Sequence, residues 1–135
     1  MSVSAPGVPN IGQLVSVRRT LYGFAGYPRA LNFSYKWYVG GGLKSVTYLS
    51  GRKIEYAADD AGRNTKVSTT NKTYWDTTVV NQPFTADGRV MQAKLGNTLW
   101  ETYDYATPGT PTVYRLGTAA GTEDRMRLEY NFSAG

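Results

Sequence analysis

The chain contains neither cysteine nor histidine among its 135 residues. Without cysteine, disulfides and thiolate metal sites are excluded. Without histidine, the chain lacks the commonest general base, the commonest metal ligand and the usual pH switch. Catalysis would have to rely on 10 carboxylates, 15 cationic side chains, tyrosines and hydroxyls. We therefore expect a non-enzymatic protein with no catalytic residue, no metal and no cofactor.

Long apolar runs are also missing, since none reaches the roughly 18 residues that a transmembrane helix requires. The first seven residues lack both a charged start and an apolar stretch, so they do not resemble a signal peptide. We expect a protein that does not insert into a membrane.

What is abundant is typical of β structure: 11 tyrosines and 15 glycines accompany many threonines and valines. Apolar residues alternate with polar ones at two places, beginning at Phe33 and at Met126. This period of two predicts strands with one buried side, and Tyr35, Trp37, Leu128 and Tyr130 are the predicted core residues. About nine to ten short strands with turn punctuation indicate an all-β fold, an antiparallel sandwich or barrel.

Two regions follow from composition. Residues 1–10 contain Pro6 and Pro9 and predict an extended N-terminal arm, which could tie one subunit to another. Residues 11–135 predict a single β-domain. Its charge is uneven: residues 1–70 carry nine Lys/Arg and three Asp/Glu, a net of +6, whereas residues 71–135 carry six and seven, a net of −1. The basic half favours either an acidic partner or ordinary solubilising charge.

The densest basic and aromatic stretch lies between residues 18 and 29. As a candidate interaction site it comprises Arg18, Arg19, Tyr22, Phe24, Tyr27 and Arg29. These side chains could grip an acidic protein surface, or stack on nucleic-acid bases while the arginines bind phosphate. Alternatively, they form a strand end and a loop whose rings fold into the core.

Carboxylates offer little for chemistry. Asp59 and Asp60 supply too few ligands for calcium. Glu101 and Asp104 are three positions apart, so on one strand they face opposite ways and cannot form a glycosidase pair. Five further aromatic residues could form a sugar-stacking platform or pack in the core or a subunit contact: Trp75, Trp100, Tyr103, Tyr105 and Tyr114.

One resemblance covers about half of the chain. Residues 8–70 resemble immunoglobulin-like modules of phage and bacterial surface proteins, and the matching pieces are Pro9, Ile11-Gly12-Gln13-Leu14-Val15, Phe33-Ser34-Tyr35-Lys36-Trp37, Gly40-Gly41, Tyr56, Asp60-Ala61-Gly62 and Thr65-Lys66-Val67-Ser68-Thr69. The resemblance implies an immunoglobulin-like β-sandwich core over residues 11–70, with extra strands from residues 71–135. It places Trp37 between two sheets and makes residues 60–62 a corner between strands.

A free-standing chain of this kind is similar to a phage capsid decoration (cement) protein. The expected function is therefore that of a virion structural subunit on the capsid surface. It would form a homo-oligomer and stabilise the head through contacts with the major capsid protein or other virion subunits. Two alternatives remain open: a carbohydrate- or host-surface-binding module, and a single-stranded nucleic-acid binder, whose affinity would fall steeply with salt.

Overall fold

The structure is a computed structural model that describes residues 12–22, 29–106 and 109–132. The predicted arm, residues 1–10, lies outside the described residues. Every regular element described is a β-strand, and the bounds are β1 Ser16–Leu21, β2 Arg29–Trp37, β3 Leu43–Thr47, β4 Lys53–Ala58, β5 Asn64–Thr69, β6 Lys72–Asp76, β7 Gln92–Leu95, β8 Trp100–Tyr105, β9 Pro111–Gly117 and β10 Met126–Glu129.

The strands are antiparallel and their order follows the chain. This confirms the predicted all-β antiparallel class. An immunoglobulin-like sandwich divides its strands between two facing sheets through connections that depart from chain order. In this chain the pairings join consecutive strands. The sandwich part of the prediction is therefore not confirmed.

The chain forms two compact units, residues 1–57 and residues 58–135. In the first unit, Tyr35 of β2 lies opposite Val46 of β3, which lies opposite Ile54 of β4. Val46 and Ile54 are buried, whereas Tyr35 is half-buried. This row across three strands is the apolar centre of the first unit.

Alternation along β2 follows the prediction. Phe33, Tyr35 and Trp37 are half-buried, and the intervening Ser34 and Lys36 are less well covered. The indole N–H of Trp37 donates to the carbonyl of Leu14 at 2.9 Å. The period of two therefore predicts correctly which side of β2 faces the protein.

Strand β1 differs from its predicted place. Residues 11–17 predict a strand that ends at Arg18 and Arg19, but β1 begins at Ser16 and its pairing with β2 continues through both arginines to Leu21. Cross-strand hydrogen bonds thus outweigh the local charge that suggested a strand end.

In the second unit, the buried residues include Ala93 of β7 and Thr77, which directly follows β6. The hydroxyl and the amide of Thr77 both donate to the carbonyl of Thr65, at 3.0 and 2.9 Å. These bonds continue the pairing of β5 with β6 by one residue beyond Asp76, the last residue of β6.

Among the described residues, five hairpin turns share one geometry. In each turn the amide of the first residue donates to the carbonyl of the fifth, and the amide of the fourth donates to the carbonyl of the first. The turns are residues 38–42, 48–52, 59–63, 85–89 and 95–99. The fourth residue has a positive φ, between 71° and 88°, and is glycine in each turn except at Thr98. Residues 59–63, which include the corner implied for residues 60–62, form one of these hairpin turns, with Gly62 at φ 78°.

Thr98 is strained at this position, because a β-branched residue with φ 71° brings Cβ against its own backbone. We expect Thr98→Gly to raise the free energy of unfolding by about 1 kcal/mol. Urea denaturation followed by circular dichroism measures it. The matched reverse change is Gly51→Thr, since φ there is 78° and no atom lies within 4 Å of an added Cβ. We expect it to destabilise by a similar amount. Equal stabilities for the three proteins would contradict the proposed strain.

Candidate functional site

One side of the second unit is aromatic. Tyr103 and Tyr105, two residues apart on β8, share this face, and Tyr114 of β9 lies directly opposite Tyr103. The rings of Tyr103 and Tyr114 are 4.9 Å apart, and those of Tyr103 and Tyr105 are 6.4 Å apart at an angle of 22°. These three tyrosines form the aromatic face together with Trp75 and Glu101.

Glu101 is the acidic group of the aromatic face. Its carboxylate accepts hydrogen bonds from the indole N–H of Trp75 and from the hydroxyl of Tyr103, the latter at 3.4 Å. Burial raises the pKa of Tyr103, and the neighbouring charge of Glu101 raises it further. The phenol therefore stays protonated at neutral pH and acts as a hydrogen-bond donor, not as a base.

The opposite side of the second unit carries ion pairs and is called the charged face. Its ion-paired residues are Lys66, Asp76, Asp104, Arg115, Glu123, Arg127 and Glu129. Arg115 of β9 pairs with Asp104 of β8 and with Glu123, the latter at 3.5 Å. Arg127 pairs with Glu123 and with Glu129, both at 2.6 Å. Glu101 and Asp104 thus lie on opposite faces, as the sequence predicts, and each already has a protein partner.

Asp76 is the most buried carboxylate of the charged face. It lies 2.9 Å from the ammonium of Lys66 and accepts hydrogen bonds from the amide and hydroxyl of Thr78. Burial by itself raises the pKa of Asp76, but the bonds from Thr78 and Lys66 outweigh burial and hold that pKa below its ordinary value. This carboxylate is ionised and stabilises the end of β6.

An open groove of about 550 Å³ lies under the connection between β6 and β7. Arg63 lines it, with its guanidinium over the ring of Phe84 at 4.4 Å and paired with Asp59 at 2.7 Å. The hydrogen bond from Arg63 lowers the pKa of Asp59. Asp59 is therefore an ion-pair and turn residue. The described residues contain no group of three acidic side chains that could hold a metal ion.

The predicted basic and aromatic site is only partly described. Arg18 and Arg19 are exposed on β1, opposite Asn32 and Leu31 of β2. Adjacent residues of a strand point to opposite faces, so β1 does not build one groove from both arginines. Tyr22 is 74% exposed. The backbone of Arg29 lies in β2, and two members of the predicted site lie outside the described residues, Phe24 and Tyr27.

The predicted core residues fall into two groups. Tyr35 and Trp37 are half-buried on β2. Leu128 and Tyr130 differ from the core position predicted for them, because they are 43% and 42% exposed. The physical reason is that β10 lies at the end of the strand order, and among the described strands it pairs with β9 alone. Alternation predicts an apolar side correctly but does not tell a core from an uncovered surface.

Two features of the site were not anticipated from the sequence. One is the set of ion pairs around Arg115 and Arg127, whose signal was the charge alternating with apolar residues near the C-terminal end. The other is the outer edge of β10, which no described strand covers. Local sequence carries no signal for it, since strand order depends on the whole fold.

No protein-family model matches the chain, and no curated protein sequence shows significant similarity to it. The immunoglobulin-like resemblance of residues 8–70 therefore stays a prediction. In the part of the chain that the structure describes, no helix is long and apolar enough to cross a membrane.

Proposed function

We propose that this chain is a non-enzymatic structural protein that binds other protein chains through open strand edges and exposed apolar side chains. The observation that carries the proposal is β10, an end strand whose four residues are all exposed and whose apolar and charged residues alternate. An open edge with an apolar side is a template for another chain, because unpaired amides and carbonyls accept a further strand.

The carboxylates support a binding role over catalysis. The acidic residues that the sequence offers as a pair for hydrolysis have protein partners: Glu101 with Trp75, and Asp104 with Arg115. Ion-paired and hydrogen-bonded carboxylates on opposite faces of a strand cannot act together on one bond. We therefore propose that this protein acts through contact area.

The setting we propose is the outer surface of a phage capsid. There the chain would be an immunoglobulin-like decoration subunit that clamps neighbouring capsid proteins. The net charge of +6 in residues 1–70 supports an acidic partner surface, and the open edge supports assembly in many copies. Many weak contacts then add up to firm attachment.

Sedimentation of a source lysate through a density gradient, with mass spectrometry of the particle band, tests this setting. We expect the chain to travel with capsids at high copy number. Recovery at the top of the gradient as free protein would rule out the virion setting. Binding to an isolated partner protein would then test the wider proposal of a structural binding protein.

Carbohydrate binding is the second candidate, and the grouped rings of Tyr103, Tyr105 and Tyr114 favour it. Flat rings on one face can stack on sugars. A glycan array distinguishes the two functions, because a decoration subunit leaves the array unbound. If carbohydrate binding is the function, we expect the protein to bind a glycan on the array, and Tyr114→Ala should abolish that binding. Trp100→Ala should leave it unchanged, because Trp100 lies on the charged face beside Lys94.

A further inference from the structure

Strand β10 carries a row of exposed apolar side chains next to its outer backbone edge. Met126, Leu128 and Tyr130 are 37%, 43% and 42% exposed, and they continue the apolar side that Leu116 and Tyr114 begin on β9. Exposed apolar residues in a row mark an interaction surface when they adjoin an open strand edge.

The backbone of β10 determines which residues could receive a new strand. The amide of Tyr130 donates to the carbonyl of Thr112 at 2.9 Å, and Leu128 lies opposite Tyr114 in the same register. Backbone groups alternate in direction along an antiparallel strand, so Met126, Leu128 and Tyr130 bond towards β9. The two residues between them, Arg127 and Glu129, consequently direct their amides and carbonyls towards the outer edge.

We propose that β10 pairs with β10 of a second copy of this chain, antiparallel and around a two-fold axis, in the register that sets Arg127 opposite Glu129. This deepens the proposed function, on which it rests, by naming a second copy as one partner and β10 as the contact. Such an interface is isologous: each contact occurs twice, and the assembly closes as a dimer.

Charge selects this register. The outward-facing residues allow three central arrangements, which place Arg127 opposite Arg127, Glu129 opposite Glu129, or Arg127 opposite Glu129 of the second copy. The first two bring like charges together, which is destabilising across a strand pair. The third forms two opposite-charge pairs and places no like charges directly opposite each other.

The apolar residues agree with the same register. Leu128 then lies opposite Leu128 of the second copy on the two-fold axis, and Met126 lies opposite Tyr130 on either side of it. These residues point to the aromatic face, so the apolar side of each second unit continues across the axis. A shift by one residue would put this apolar row on the charged side, where it has no partner.

Reversing the charges of Arg127 and Glu129, singly and together, tests the proposal. Analytical ultracentrifugation over a concentration series should show that the unmodified protein dimerises. Arg127→Glu and Glu129→Arg should each weaken self-association by roughly tenfold or more, because each makes both central pairs like-charged. An equimolar mixture of these two variants should associate again, since both central pairs then join a carboxylate of one variant to a guanidinium of the other. The doubly exchanged protein should also dimerise, for the same reason.

The control is Glu55→Arg, which breaks the similar ion pair between Lys53 and Glu55 on β4 and should leave dimerisation unchanged. Circular dichroism establishes that each variant folds. If a charge variant does not fold, Leu128→Lys places two ammonium groups on the axis and should also prevent dimerisation.

A monomeric wild type, or single variants that dimerise normally, or a mixture that does not associate, would overturn the proposal. If a variant that no longer dimerises still sediments with capsid particles, the dimer has been lost while the proposed function is retained.

Discussion

Gly96→Ala should destabilise the second unit by about 3 kcal/mol, the upper part of the range for inserting an atom into a packed site. A Cβ at Gly96 would overlap the carbonyl oxygen of Thr73 and would approach the Thr73 carbonyl carbon and the Tyr74 Cα at 3.1 Å. These atoms belong to the backbone of β6, so they cannot move aside as a side-chain end can. The amide of Gly96 donates to the carbonyl of Tyr74 at 2.9 Å, which holds the two segments at this distance.

Urea denaturation measured by circular dichroism gives the size of the Gly96 effect. Gly40→Ala is the matched control, since Gly40 is also in a hairpin turn, has no positive φ and has no atom within 4 Å of an added Cβ. We expect that control to unfold within about 0.5 kcal/mol of the wild type. A similarly small effect of Gly96→Ala would show that the tip of the β7–β8 hairpin does not pack against β6 as described.

Tyr103→Ala should cost about 3 kcal/mol of unfolding free energy, because the ring is the centre of the aromatic face and contacts Tyr105 and Tyr114. Its removal leaves Tyr114 without its cross-strand partner and uncovers the side chain of Glu101. Chemical denaturation of the purified variant provides the measurement, with near-ultraviolet circular dichroism reporting the loss of ordered tyrosine signal.

Two comparisons separate ring packing from the hydroxyl. Tyr103→Phe should lower the free energy of unfolding by well under half as much as Tyr103→Ala. The hydroxyl is 3.4 Å from Glu101, and such a long hydrogen bond contributes little. Tyr22→Ala removes a ring that is 74% exposed and should change stability by less than about 0.5 kcal/mol. If Tyr103→Phe destabilises as much as Tyr103→Ala, the hydroxyl, not the ring, holds the face together.

The sequence was most informative where a strand could be judged by its own alternation. The half-buried Phe33, Tyr35 and Trp37 follow the predicted period of two. The stacking of Tyr103 on Tyr105 likewise follows from their spacing, since residues two apart on a strand share a face. Turns with glycine were predictable for the same local reason, because a positive φ favours glycine.

Several features could not be derived this way. The extension of β1 through Arg18 and Arg19 depends on a register with β2, whose paired residues lie further along the chain. The clash that makes Gly96 necessary arises from β6, a separate strand, and nothing in the residues around Gly96 indicates it. The ion pairs of Arg115 join β9 to β8 and to the loop before β10, and so depend on tertiary contact.

By itself the sequence determined the class of the fold, since alternation and glycine turns are properties of the chain. It also determined which side of β2 and of β10 is apolar. The tertiary structure decided whether that side is covered. Leu128 and Tyr130 carry the pattern of core residues, yet they lie on or beside an end strand and are exposed. A pattern of two specifies the direction of side chains, whereas burial requires a neighbour, and neighbours are assigned only when the whole chain has folded.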